Sequence, residues 1–152
     1  MQRIARIHFL SSPEQLRPVR DAVRQLAVEQ GCSDKNLDCL VMAINEACMN
    51  VIQHGYANRN DGEMILEFWR DQDLLSIRLF DFAEPVDKAS IKSRDLDDIK
   101  PGGLGVHIMQ QVMDSVAYQH GPDGVGNMLE MRKRLSDETI CCPNDYQENN
   151  DT

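Results

Sequence analysis

The stretch INEACMNVIQHGY, residues 44–56, combines an apolar stripe with a row of polar side chains. Apolar residues recur at the spacing of one buried helix face, and together with the residues before them they predict a helix that begins after Ser33 and ends near Gly55. Glu46, Asn50 and His54 are successive i+4 neighbours, so they form a row along this helix. The row alone fits the solvated face of an amphipathic helix. A functional interpretation needs a second element that converges on it.

The sequence on either side of this helix predicts an α+β fold. A strand and a helix precede it, and the strands EMILEFWRD and DLLSIRLFDF follow as a hairpin. A segment without periodicity, a helix in LGVHIMQQVMDSV and two closing strands complete the order. This order favours a two-layer α/β sandwich, with a mixed, mostly antiparallel sheet and the helices on one face. We expect one domain at residues 1–135 and an acidic, disordered tail at 136–152.

The charge and composition argue against several classes of protein. The 152 residues carry a net charge of −9, which repels a phosphate backbone and argues against direct nucleic-acid binding. No apolar run has the length of a membrane span, and the N-terminus lacks the apolar core of a signal peptide. The five cysteines follow neither disulfide-framework nor zinc-ligand spacing. We therefore expect a cytoplasmic protein with reduced thiols that does not interact with a membrane.

A glycine-rich segment, PGGLGVHIMQQVMD, lies where the third helix is expected to begin. Glycines at 102, 103 and 105 let a backbone approach an anion closely, and a helix N-terminus offers unpaired N–H groups. A phosphate group suits this position. The other interpretation is an ordinary glycine-rich turn that caps a helix, and the segment alone does not separate the two.

An acidic residue, Asp81, ends the second strand of the hairpin in LFDFAEP. Such a residue is often only a turn former. A carboxylate in an apolar pocket can also accept a hydrogen bond from the exocyclic amine of adenine and so select the base. Its place between the polar helix and the glycine-rich segment favours the second interpretation.

The succession NEACMNVIQHGY, FDFAEP, PGGLGVHIMQQVMD and GVGNMLEM resembles the Bergerat ATP-binding domain. This domain is shared by DNA gyrase, heat-shock chaperone ATPases, sensor histidine kinases and MutL. The resemblance covers about the first 135 residues. Within the superfamily, the chain is most similar to small anti-sigma-factor serine-protein kinases of the RsbW type, which consist of this domain alone.

The resemblance implies a role for each part of the pattern. Glu46 would be the general base that activates a substrate hydroxyl, Asn50 would coordinate magnesium beside the triphosphate, and Asp81 would bind the adenine of ATP or ADP. His54 would either line the nucleotide pocket or only cap the helix end. Residues 84–102 would form a lid over the nucleotide. The other residues implied in nucleotide binding are Ala83, Lys100, Gly103, Leu104, Gly105, Val106 and Asn127.

Two positions depart from the family pattern. The first glycine box runs Asp-x-Gly-x-Gly in the family, whereas Ala83 and Pro85 occupy the glycine places here. Because Ala83 adds a methyl group, we expect nucleotide affinity to be reduced. In the last box the family places threonine after glycine, and here Asn127 follows Gly126. The asparagine amide can still form hydrogen bonds, so this change is expected to be milder.

The resemblance implies a partner-switching protein. It would bind ATP and magnesium, sequester a sigma factor, and phosphorylate a serine or threonine of an anti-sigma-factor antagonist. The main alternative is a degenerate module on the same fold that binds a partner without catalysis. A third is a kinase that regulates something other than a sigma factor. A homodimer formed through an exposed sheet edge or the first helix is expected from the resemblance only.

Overall fold

The structure is a computed structural model of the chain, and it describes residues 1–83, 103–121 and 126–136. The side chains of residues 103–107 are not among those described. The lid expected at 84–102 and nearly all of the expected tail therefore lie outside the described residues. In chain order, the elements are β1 (Gln2–Leu10), a 3-10 turn (Pro13–Gln15), α1 (Leu16–Glu29), α2 (Asp34–Asn50), a π-helical turn (Val51–Gly55), β2 (Glu63–Asp71), β3 (Leu74–Asp81), α3 (Gly103–Val112), β4 (Ser115–His120) and β5 (Asn127–Arg134).

One sheet of five strands runs in the order β1-β2-β3-β5-β4. All four pairings between neighbouring strands are antiparallel. The expected α+β sandwich is confirmed, and among the described strands the sheet is wholly antiparallel. β5, the last described strand in the chain, lies between β3 and β4, and this pairing brings Asn127 beside Asp81.

The core lies between one face of the sheet and the helices. Alternate residues of β2 point into it, and Met64, Leu66 and Phe68 are all at most 2% exposed. They join one apolar cluster with residues of α1, α2 and α3. α2 packs against both α1 and α3, so the polar row on α2 belongs to the central helix of this layer. No helix in the described ranges is long and apolar enough to span a membrane.

The second helix begins as the sequence predicts and ends differently. The Ser33 hydroxyl accepts a hydrogen bond from the backbone N–H of Asn36 at 3.3 Å, which confirms the predicted cap. The α-helix stops at Asn50, and the chain continues as the π-helical turn, in which the Tyr56 N–H donates to the Val51 carbonyl at 3.0 Å. A π turn takes up one more residue than an α turn, and such turns often occur at functional sites. The predicted continuous α-helix to Gly55 is therefore wrong in its last turn.

The cysteines also differ from the expectation. Cys39 is wholly buried and is disulfide-bonded, so the prediction of reduced thiols is wrong for this residue. The spacing of cysteines along the chain does not show which of them meet in space. Cys32 and Cys48 are free thiols. Burial raises the pKa of Cys48 to about 12, so this thiol is unreactive at neutral pH.

Candidate functional site

The centre of the candidate site is Asp81, at the end of β3. Its side chain faces the helix layer and is 6% exposed. One carboxylate oxygen, Oδ1, accepts hydrogen bonds from Asn127 Nδ2 at 3.0 Å and from the Ala83 backbone N–H at 3.1 Å. No described residue donates to the other oxygen, Oδ2. The carboxylate therefore keeps one acceptor oxygen for a ligand.

Burial raises the pKa of Asp81, and the hydrogen bonds from Asn127 and Ala83 partly oppose this rise. A carboxyl whose pKa is raised by folding contributes stability at a pH below its unfolded pKa. That contribution is lost as the pH rises through the folded value. As the pH rises, the buried charge of Asp81 therefore costs the unliganded protein stability. This cost is typical of a residue kept for binding rather than for folding.

We therefore expect Asp81→Asn to stabilise the unliganded protein at pH 7, by on the order of 1 kcal/mol. The gain should disappear as the pH falls into the ordinary range of a carboxyl pKa, because burial raises the pKa of Asp81 and its side chain is then protonated. Urea denaturation of the variant and of the unaltered protein, at pH 7 and at the lower pH, measures the difference in unfolding free energy. Asp61→Asn, which alters an exposed carboxyl, is the control and should show no such gain. A loss of stability at pH 7 in the Asp81 variant would contradict the expectation.

Gly126 provides the close approach that joins β5 to Asp81. Its φ is +68°, in the left-handed region that favours glycine. A Cβ at this position would overlap the carbonyl oxygen of Asp81. Only glycine therefore lets the neighbouring Asn127 reach the Asp81 carboxylate. In the sequence this glycine marks only the last box, and its steric role is visible only in the structure.

Ala83, which occupies the place of the first glycine in the family pattern, is 7% exposed and belongs to the core cluster. Its φ is not positive, so its backbone carries no strain of the kind that requires glycine. A Cβ added to Gly55, in the π-helical turn, would lie 3.6 Å from the Ala83 Cβ. The methyl group therefore fits beside the turn. Its effect on nucleotide affinity stays a prediction.

The polar row on α2 is only partly preserved. Glu46 and Asn50 are half-buried and lie one turn apart, about 6 Å along the helix axis. His54 lies in the π-helical turn and is exposed. The wider turn rotates His54 away from the i+4 line that the sequence predicted. The structure thus keeps Glu46 and Asn50 on one α-helical face, and the role of His54 stays a prediction.

Asn50 has a feature that a ligand would explain. Its amide nitrogen is buried and has no hydrogen-bond partner among the described residues. Native proteins rarely leave such a group unpaired. The oxygen and nitrogen of an asparagine are assigned from their hydrogen bonds, so either end of this amide can face a ligand.

The donor set fits magnesium better than a metal held by protein groups alone. No group of three or more His, Cys, Asp or Glu side chains in the described ranges could hold an ion. Magnesium needs few protein ligands when phosphate oxygens and water supply the others. One amide oxygen from Asn50 would suffice, so the residues present fit this ion.

The glycine-rich helix start is found where it was expected. α3 begins at Gly103, so Gly103, Leu104, Gly105 and Val106 form its first turn, where backbone N–H groups have no acceptor within the helix. This helix packs against α2. Lys100 lies outside the described residues. The predicted phosphate contacts of this turn and of Lys100 stay predictions.

Sequence reasoning missed Tyr56. Its side chain is 3% exposed, and its hydroxyl accepts a hydrogen bond from the Phe82 N–H next to Asp81, at 2.7 Å. The only signal in the sequence was its place directly after the polar row, before the turn residues ANRNDG.

A comparison with protein families agrees with this geometry. The model of the family described as "Histidine kinase-like ATPase domain" matches residues 9–133, from the end of β1 to near the end of β5. The chain belongs to the histidine kinase-like ATPase domain family. The residues matched by the family model include Glu46, Asn50, Asp81 and Asn127. The match ends at residue 133, close to the predicted domain boundary at residue 135.

Within the histidine kinase-like ATPases, the chain is similar in sequence to serine-protein kinases. The chain is 30% identical over 139 residues to serine-protein kinase RsbW of Bacillus velezensis, a match covering 86% of this chain and 84% of the relative. It is also 30% identical over 141 residues to serine-protein kinase RsbW of Bacillus licheniformis, covering 85% of this chain and 87% of the relative. The chain therefore resembles these kinases over most of their length as well as its own.

A solved structure shows the same fold. The structure of the RsbU and RsbW domains of a Mycobacterium tuberculosis protein superposes with a TM-score of 0.61 at 18% sequence identity. The match covers 87% of this chain and 33% of that longer chain. At this identity the similarity supports the histidine kinase-like ATPase fold alone.

Proposed function

We propose that this histidine kinase-like ATPase binds ATP with magnesium and phosphorylates a serine or threonine of a partner protein. The observation that supports this most is the Asp81 carboxylate, which is buried at the sheet end with Oδ2 receiving no hydrogen bond from the described residues. Adenine presents an exocyclic amine that can donate to this oxygen. Guanine presents a carbonyl at the same place, which the carboxylate would repel.

Residues of the helix layer would bind the phosphate groups of ATP and the magnesium ion. Asn50 would offer its amide oxygen to magnesium, and its buried, unpartnered amide nitrogen supports a ligand at this place. When bound, magnesium neutralises charge on the phosphate groups that react. The first turn of α3, at residues 103–106, would donate backbone N–H groups to phosphate oxygens. Lys100 is a further proposed contact from the lid.

Glu46 would act on the protein substrate. It lies one helical turn before Asn50 on α2, so a hydroxyl beside it is also beside the phosphates that Asn50 helps to place. As a carboxylate it can accept the proton of the serine or threonine hydroxyl when that oxygen attacks the γ-phosphate. Positioning and electrostatic stabilisation account for most of what a protein contributes to phosphoryl transfer, and a base would add removal of the proton.

We further propose that the partners are those implied by the RsbW resemblance. These are a sigma factor, which the protein would hold, and an anti-sigma-factor antagonist, which it would phosphorylate. Such partners would place the protein in the cytoplasm, and its net charge of −9 argues against direct contact with nucleic acid. A homodimer remains a prediction from the resemblance.

Calorimetric titration with ATP and ADP, each with and without magnesium, tests the nucleotide site. Saturable ATP binding that strengthens with magnesium is the expected result for the unaltered protein, and Asp81→Asn should weaken it at least about tenfold, the loss of one hydrogen bond to a charged group. The control Asp61→Asn should bind like the unaltered protein. No binding at millimolar nucleotide would reject the kinase and favour the alternative, a partner-binding module without catalysis, for which Ala83 in the glycine box is the supporting observation.

A further inference from the structure

Tyr56 occupies a slot built for its ring at the end of the π-helical turn. A Cβ on Gly62 would lie 2.5 Å from the ring, so only glycine leaves room for it. The backbone N–H of Gly62 donates to the Ser11 hydroxyl at 3.0 Å, and the N–H of Ser11 donates to the Gly62 carbonyl at 2.8 Å. The ring position is therefore defined by packing and by a hydrogen-bonded backbone beneath it.

The hydroxyl of Tyr56 connects two strands. It donates to the Glu63 carbonyl at the start of β2, at 2.6 Å, and it accepts from the Phe82 N–H just beyond β3, at 2.7 Å. A phenol has one proton, so the two bonds define which group donates and which accepts. Burial raises the pKa of Tyr56, so the hydroxyl keeps its proton at neutral pH.

The Phe82 N–H belongs to the segment that orients Asp81. Phe82 lies between Asp81 and Ala83, and the Ala83 N–H donates to Asp81 Oδ1 at 3.1 Å. The Phe82 side chain is 45% exposed, so little packing holds this residue in place. The hydrogen bond to Tyr56 therefore fixes the backbone N–H between the carboxylate and the Ala83 N–H that orients it.

We propose that Tyr56 is a positioning residue that holds the 81–83 turn so that Asp81 Oδ2 faces the exocyclic amine of a bound adenine. This inference rests on the proposed nucleotide-binding function. Tyr56 would not touch the nucleotide and would act only through Asp81. Its loss should therefore remove selection of the base and leave the phosphate contacts unchanged.

The test compares ATP with purine riboside triphosphate, which is ATP without the exocyclic amine. Calorimetry on the unaltered protein should give about 10- to 100-fold tighter binding of ATP, the effect expected of one hydrogen bond to a charged acceptor. Tyr56→Phe keeps the ring and removes only the hydroxyl. It should weaken ATP binding until the two nucleotides bind within about threefold of each other, with the analogue bound as before.

Tyr118→Phe is the matched control, because it removes a hydroxyl from an exposed tyrosine on β4. It should keep the full preference for ATP. Amide hydrogen exchange provides a second measurement that needs no substitution: the Phe82 N–H should be protected in the unaltered protein.

Any one of four results would overturn the inference. If Tyr56→Phe weakens both nucleotides equally, the residue is only structural. If the preference for ATP survives in that variant, or if the Phe82 N–H exchanges like a free loop amide, Tyr56 does not position Asp81, while the proposed function stands. If the unaltered protein binds both nucleotides equally, the inference and the base-reading role of Asp81 both fail.

Discussion

Glu46→Gln is expected to slow phosphotransfer by about 10²- to 10⁴-fold, the usual contribution of a general base. Glutamine keeps the length and helix preference of glutamate, and it cannot take the proton of an attacking hydroxyl. Binding of ATP with magnesium should stay within about twofold, because the proposed base would contact the protein substrate rather than the nucleotide. The rate is measured with γ-labelled ATP and a purified protein of the proposed antagonist class as the substrate.

The control for this prediction is Glu29→Gln, which changes an exposed glutamate at the end of α1. It alters the net charge by the same amount and should leave the rate unchanged. If Glu46→Gln loses nucleotide affinity and rate in parallel, Glu46 is a binding residue. A rate within tenfold of the unaltered protein would mean that another group removes the proton.

Gly126→Ala is expected to cost about 3 kcal/mol of unfolding free energy. About 1–2 kcal/mol comes from the positive φ, and the remainder from the overlap with the Asp81 carbonyl. Relief of the overlap must move the start of β5 away from the end of β3, which separates Asn127 from the Asp81 carboxylate. ATP affinity should therefore fall together with stability. Urea denaturation and calorimetry measure the two effects.

The variant Gly31→Ala separates the two causes of the stability loss, which are the positive φ and the steric overlap. Gly31 has a φ of +87°, and a Cβ added there would meet nothing within 4 Å. This variant should lose only the 1–2 kcal/mol of backbone strain and should bind ATP normally. Equal losses of stability in the two glycine variants would show that the contact with Asp81 carries no cost.

Local patterns in the sequence predicted the elements well. The apolar stripe of α2, the Ser33 cap and the hairpin of β2 and β3 all follow from spacing and side-chain chemistry within a few residues of each other. The fold family came from the order of the motifs. The place of β5 between β3 and β4 could not be read from these patterns, because strand pairing depends on contacts between distant residues.

The candidate site was predictable in its residue types and not in its geometry. The row of Glu46, Asn50 and His54 assumed a uniform α-helix, and the π-helical turn removes His54 from that row. The hydrogen bonds of the Tyr56 hydroxyl join residues 7 and 26 positions away in the chain. Neither contact leaves a periodic signal. The steric demand at Gly126 likewise appears only when β3 and β5 are paired.

In the proposed function, the sheet and the helix layer have different roles. The sheet carries the group that would recognise the base, at Asp81, and α2 carries the groups that would act on phosphate and substrate, at Glu46 and Asn50. Recognition and chemistry can then be altered separately, since changes at the end of β3 need not disturb the helix. A variant whose sheet end accepts a different purine would still transfer phosphate from it. Under the proposed function, the fold would offer a route to a kinase that responds to an unnatural nucleotide and ignores ATP.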